Sequence, residues 1–146
     1  MNKITILNRE LTSEEFKRMN EGFDELALEE GMELESSEKI SFIAQKGNSF
    51  IGCSSGLALK NGDKYSGWFH LKELFVEKEY RSKGLGLKLL KAIEEQVKVK
   101  GVKHIFLWTS GEKALRFYHR HGYKIFTEME NWYSDGSSRV GLRKRL

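Results

Sequence analysis

The chain contains no proline, so its turns must be made by Gly, Asn, Asp and Ser. It has a single cysteine, Cys53, which excludes an internal disulfide framework. No Cys/His cluster stands at zinc-ligand spacing, so no metal is expected. No apolar run approaches the ~18 residues of a membrane span, and the start "MNKITILNRE" carries no apolar secretory stretch. These absences predict a cytoplasmic protein with no membrane partner. With no histidine patterned beside it, Cys53 is expected to be a small strand hydrophobe, not a nucleophile.

What remains is an ordinary globular composition, 39% apolar and 32% charged. The 146 residues suffice for one domain, 1–146, with a core that needs no disulfide. The net charge of +4 is modest but unevenly placed. Seven acids and no Lys or Arg lie between Asp24 and Glu38, whereas eight basic residues lie between Lys78 and Lys103. Solvated helix faces explain such runs, and so would one surface for a cation and another for an anion. Basic residues are mixed with acids and no nucleic-acid-binding motif is present, so no nucleic-acid partner is expected.

The apolar spacing predicts an alternating order of elements. Lys3 to Leu7 alternates like a strand. Thr12 and Glu15 have the spacing of a capping box, ahead of a helix to about Glu30 with Phe16, Met19, Phe23 and Leu26 on one face. Two strands follow around Lys46-Gly47-Asn48, then a strand over Trp68 to Val76. A helix opened by glycine places Leu87, Leu90, Ile93 and Val97 on one face and its lysines and glutamates on the other. Lys103 to Trp108 has the look of a buried strand. Thr109 and Glu112 suggest a second capping box, and Gly122 a helix C-terminus. Two last strands, Tyr123 to Met129 and Ser138 to Leu142, flank the turn "SDGS". The pattern implies an α/β (α+β) fold: a mixed, mostly antiparallel twisted sheet flanked by helices.

The most informative stretch is "YRSKGLGLKLL", Tyr80 to Leu90. A helix start leaves N–H groups unpaired and bears positive partial charge. Glycine lets that backbone approach a ligand, and Arg81 and Lys83 add charge, so the loop suits a diphosphate. It is not a P-loop, which needs G-x-x-x-x-G-K-[ST]. Nor is it a dinucleotide fingerprint, because Leu89 replaces the third glycine and several strands precede the loop.

The segment "LFVEKEYRSKGLGLKLL" resembles the signature of the GNAT superfamily of N-acetyltransferases, Arg/Gln-x-x-Gly-x-Gly/Ala after a strand, here Arg81, Gly84 and Gly86. "ALRFYHRHGY" is similar to that family's later helix, with Tyr118, Gly122 and Tyr123 at the matching places. The separation of the two motifs and the element order agree as well. Lys78 stands where the family often has Pro, and Gly111 where it often has Asn.

The resemblance implies an acyl-CoA N-acyltransferase-like fold that transfers acetyl from acetyl-CoA to a primary amine by direct attack. It implies that Leu74, Phe75 and Val76 meet the pantetheine arm, with the Val76 N–H at the oxyanion. It implies that the diphosphate rests on Arg81, Ser82, Lys83, Gly84, Leu85 and Gly86, with Tyr118 as general acid for the departing thiolate. Glu73 is the base candidate nearest in sequence, with His70 and a water chain as alternatives. The acidic stretch suggests a small cationic acceptor by charge complementarity. A protein or peptide acetyltransferase and a non-catalytic CoA-binding sensor are the alternatives. The resemblance also admits a homodimer.

Overall fold

A computed structural model describes residues 3–146, which fall into two compact units that divide between Leu34 and Glu35. In the first, helix α1 (Ser13–Glu29) starts as its capping box requires. The Glu15 N–H donates to the Thr12 hydroxyl at 3.1 Å, and the Thr12 N–H donates to the Glu15 carboxylate at 2.8 Å. Arg9 forks the same carboxylate at 2.8 and 2.9 Å. The strand expected over Lys3 to Leu7 does not form: Ile4 and Ile6 are almost fully exposed. Alternation shows which side chains could share a face, but a strand also needs an edge to pair with, and none pairs with this segment. The apolar stripe Phe16, Met19, Phe23 and Leu26 is solvent-exposed.

The second unit is a six-stranded sheet with two α-helices. Its strands are β1 (Glu35–Lys46), β2 (Ser49–Asn61), β3 (Lys64–Val76), β4 (His104–Thr109), β5 (Lys124–Met129) and β6 (Arg139–Arg145). Helix α2 (Leu85–Val99) connects β3 to β4, and α3 (Glu112–Arg120) connects β4 to β5. The sheet order is β1-β2-β3-β4-β6-β5; only the β3–β4 pair is parallel. The β1–β2 hairpin turns at Gly47, whose φ of +61° glycine tolerates best.

Helix α2 buries Leu89, Leu90, Ile93 and Val97. Leu90, Ile93 and Val97 share one core with Ile40, Ala58, Phe69 and Leu71 of the first three strands, and with Tyr118, Tyr123, Leu107, Val140 and Leu142. Two local expectations are corrected. Helix α3 begins after Gly111, which has φ +87° and no side chain to cap with, so Thr109 and Glu112 form no capping box. Glu94 does not join the exposed face of α2; it is buried because Tyr123 and Lys144 meet its carboxylate. Among the described residues no helix is long and apolar enough to cross a membrane.

Gly56 of β2 packs tightly against β3. A Cβ there would strike the His70 carbonyl oxygen and lie 2.7 Å from the Phe69 ring. Gly56→Ala is therefore expected to cost about 3 kcal/mol and to lower the midpoint of thermal unfolding by roughly 10 °C, as read by calorimetry.

Candidate active site

The site begins with a defect in the sheet. Strand β3 pairs with β4 only at Trp68, Phe69 and His70, opposite His104, Ile105 and Phe106. Beyond that point β3 runs on to Val76 and β4 to Thr109 without pairing, so the two strands part. The parting coincides with a bulge. Ser55 faces Glu73 and the next residue, Gly56, faces Leu71, so Lys72 is an extra residue in β3.

The bulge reorders the faces. In a regular strand His70 and Glu73, three apart, would point to opposite sides. The extra residue puts Leu71 and Leu74 together on the α2 side, in or against the core, and His70 and Glu73 together on the other. Beside them on that second face lies a hollow of about 330 Å³ lined by Trp68, Phe106, Trp108, Phe126 and Arg143. His70 stacks on Phe106 with ring centroids 4.4 Å apart. Burial, and then the charge of Lys72, hold its imidazole pKa below the ordinary value, so it is neutral near pH 7.

Past the bulge, the antiparallel alternation decides which backbone groups are free. The Glu77 N–H donates to the Ile51 carbonyl at 2.8 Å, which marks a hydrogen-bonded pair. Two residues back, Phe75 therefore exchanges its bonds with Cys53, while Leu74 and Val76 turn theirs away from β2, into the gap that β4 has vacated. The Val76 carbonyl is taken from that side by the Arg81 Nε–H at 2.8 Å. Of the three expected strand residues, Leu74 and Val76 offer free backbone, and Phe75 does not.

The glycine loop lies against the same strand end. A Cβ placed on Gly86 would come 3.8 Å from the Phe117 ring and 3.9 Å from Val76 Cγ2, so β3, α2 and α3 converge there. Gly84 caps α2 with φ +84°, and Ser82 also takes a left-handed φ of +63°. Such turns aim successive N–H groups at one point and form an anion-binding concavity. Among the described residues the amides from Ser82 to Leu87 find no acceptor, and the helix start adds positive partial charge. Arg81 spends its Nε on β3, so it braces the loop as well as charging it.

Tyr118 is buried on α3, with its ring edge-on to Phe117 at 5.2 Å and to Tyr123 at 5.4 Å. Its hydroxyl makes no hydrogen bond within the described residues, yet is not sealed from solvent. It is thus free to donate to a ligand. Burial pushes its pKa up to about 12. A phenol this weak is not a stronger acid than a thiol in water, whose reference value is about 8.5. It can protonate a departing sulfur only where the same dry surroundings raise the thiol too. What it offers in any case is a hydrogen bond that strengthens as charge grows on sulfur.

The acidic stretch is divided. Asp24 to Leu34 belongs to the first unit and Glu35 to Glu38 to β1, where Glu38 is already engaged by Tyr65 and Lys100. Cys53 is half-buried in mid-strand, as expected. The sequence reading missed the pairing of His70 with Glu73 on one face, the aromatic hollow beside them and the burial of Glu94. The alternating aromatics of "WFHL" and "HIFLW" hint at the hollow; nothing local signals the bulge.

The model of the acetyltransferase (GNAT) family matches residues 5–123. An acetyltransferase of Agrobacterium fabrum is 32% identical over 85 residues, 58% of this chain and 61% of its own. The thialysine N-epsilon-acetyltransferase of Sus scrofa is 33% identical, over 48% of this chain and 45% of its own. The chain thus spans about half to three fifths of these relatives. A crystal structure of an acetyltransferase from Bacillus cereus superposes with a TM-score of 0.78 at 24% identity, covering 97% of this chain and 98% of that one. A GNAT family acetyltransferase from Elizabethkingia anophelis, crystallised with acetyl-CoA bound, superposes with a TM-score of 0.61 at 19% identity, covering 86% and 82%. With a family model spanning most of its length and the family's fold around the parted strands, this chain belongs to the acetyltransferase (GNAT) family.

Proposed function

We propose that the protein transfers the acetyl group of acetyl-CoA to a primary amine by direct attack, without an acyl-enzyme. The observation that carries this reading is the parting of β3 from β4, which frees the Leu74 and Val76 backbone next to the glycine loop. In this reading the diphosphate rests on the unpaired amides from Ser82 to Gly86. The pantetheine arm extends β3 on the side that β4 leaves open, pairing with Leu74 and Val76. The Val76 N–H faces the thioester carbonyl and stabilises the tetrahedral oxyanion. The Tyr118 hydroxyl faces the sulfur and donates to it as it leaves.

The amine approaches from the other face, where His70 and Glu73 lie together and the aromatic hollow opens. One of these groups, directly or through water, takes the proton that the amine must lose. A small cationic acceptor is favoured by the similarity to a thialysine N-epsilon-acetyltransferase.

Calorimetric titration with acetyl-CoA tests the cofactor half, with NAD and ATP as controls; selective micromolar binding is expected. Gly86→Ala would meet nothing nearer than the Phe117 ring at 3.8 Å and should fold normally; in this reading its methyl crowds the ligand where β3, α2 and α3 converge, so acetyl-CoA affinity should fall at least about tenfold. Unchanged affinity would remove the diphosphate from this loop. Tyr118→Phe should lower kcat at least about tenfold with acetyl-CoA affinity nearly unchanged; full turnover would end its assignment. Thiol release across spermidine, thialysine, benzylamine and a lysine-containing peptide tests the acceptor, and the cationic reading fails if benzylamine is best.

The base is assigned by the pH profile of kcat/KM. If His70 is the base, the acidic limb falls below pH 6.5, because its pKa is lowered and the imidazole must be neutral to accept. The limb then vanishes in His70→Gln and persists in Glu73→Gln; the reverse pattern assigns Glu73. Because the Tyr118 pKa is raised to about 12, no basic limb below pH 10 should vanish in Tyr118→Phe.

A further inference from the structure

The buried carboxylate of Glu94 has no part in the chemistry described above, yet it stands one side chain away from Tyr118. It is 5% exposed. It accepts the Tyr123 hydroxyl at 2.8 Å and the Lys144 ammonium at 3.0 and 3.1 Å, and Lys91 lies 3.3 Å away. Tyr123 in turn holds Tyr118 twice. Their rings meet edge to face at 5.4 Å, and the Tyr123 N–H donates to the Tyr118 carbonyl at 3.0 Å.

This is a costly way to fill a core. A buried ion pair is often no more stabilising than apolar side chains of the same volume, so stability alone does not account for it. What it adds is direction, since a hydrogen-bonded ring has one position where a greasy ring has several. The anchoring carboxylate is also well placed. Glu94 belongs to α2, whose first turn forms the glycine loop, and Tyr123 follows α3, which bears Tyr118.

We propose that Glu94 is a positioning residue for the transfer reaction: through Tyr123 it fixes the Tyr118 ring relative to the helix that seats acetyl-CoA. The inference rests on the assignment of Tyr118 as donor to the leaving sulfur. Lys144 pairs with the carboxylate in the core; its role is to match those oxygens, not to touch the reactants.

The experiment compares Tyr123→Phe, Glu94→Ala and Glu94→Gln, alone and combined with Tyr118→Phe, using the fastest amine of the panel above. Tyr123→Phe and Glu94→Ala should each lower kcat about five- to tenfold with KM for acetyl-CoA within twofold, because geometry and not binding is lost. Glu94→Gln keeps an oxygen for the Tyr123 hydroxyl and should restore most of kcat. In the Tyr118→Phe background neither change should lower kcat further, as expected of residues acting through one group. A second readout needs no turnover. With 3-fluorotyrosine incorporated, the fluorine resonance that Tyr118→Phe deletes should shift or broaden in Glu94→Ala and stay in place in Glu94→Gln.

A rise in KM matching the loss in kcat, a loss that persists in the Tyr118→Phe background, or an unmoved fluorine resonance would overturn the proposal. Should Glu94→Ala fail to fold, Tyr123→Phe removes only one hydroxyl and carries the same kinetic test. If Tyr118→Phe alone is fully active, the assignment of Tyr118 fails first, and this inference falls with it for a separately visible reason.

Discussion

The active region depends on one break in backbone pairing. Parallel strands normally keep their hydrogen bonds to the end, because an unpaired amide in a sheet interior is costly. Here β3 and β4 share three residue pairs and then separate. The bulge at Lys72 supplies the bend, and the Val76 carbonyl finds a substitute partner in Arg81. The remaining donors and acceptors along β3 stay open to a ligand that can act as the missing strand. A linear arm with amide groups meets that demand; a compact ligand does not.

The same break organises the two faces. On the α2 side the core is continuous, running from Ile40 through Phe69 and Leu90 to Leu142. It packs Tyr118 within it and sets the glycine loop against the strand end. The opposite side carries aromatic and titratable side chains, with His70 and Glu73 brought together by one inserted residue. A donor and an acceptor substrate can therefore approach the gap from different sides. The geometry suits direct attack, since each reactant has its own wall and no protein nucleophile is needed between them.

Burial sets the chemistry of the titratable groups. Tyr118 is pushed towards 12 by the desolvation that makes its proton available only to a ligand in the same dry space. His70 moves the other way, because burial disfavours a charged imidazole. A phenol that stays protonated and an imidazole that stays neutral follow from one cause acting on groups of opposite charge type. Glu94, with its two lysines and a phenol, is the exception that stays buried because every oxygen is matched.

Much of this was legible in the chain itself. Periodicity and turn residues determined the elements of the second unit to within a few residues, since both depend on neighbours in sequence. Arg81, Gly84 and Gly86 announced the glycine turn that opens α2 with unpaired amides, because a helix start with glycines has the same electrostatics wherever it stands. The local Thr12–Glu15 cap was legible for the same reason. What only the tertiary structure decided is how distant parts meet. It left Lys3 to Leu7 without a strand partner, placed the bulge at Lys72, aligned His70 with Glu73, turned Phe75 away from the gap and buried Glu94 beneath Tyr123. Each of these depends on register between strands or on contacts across tens of residues, and no local pattern encodes either.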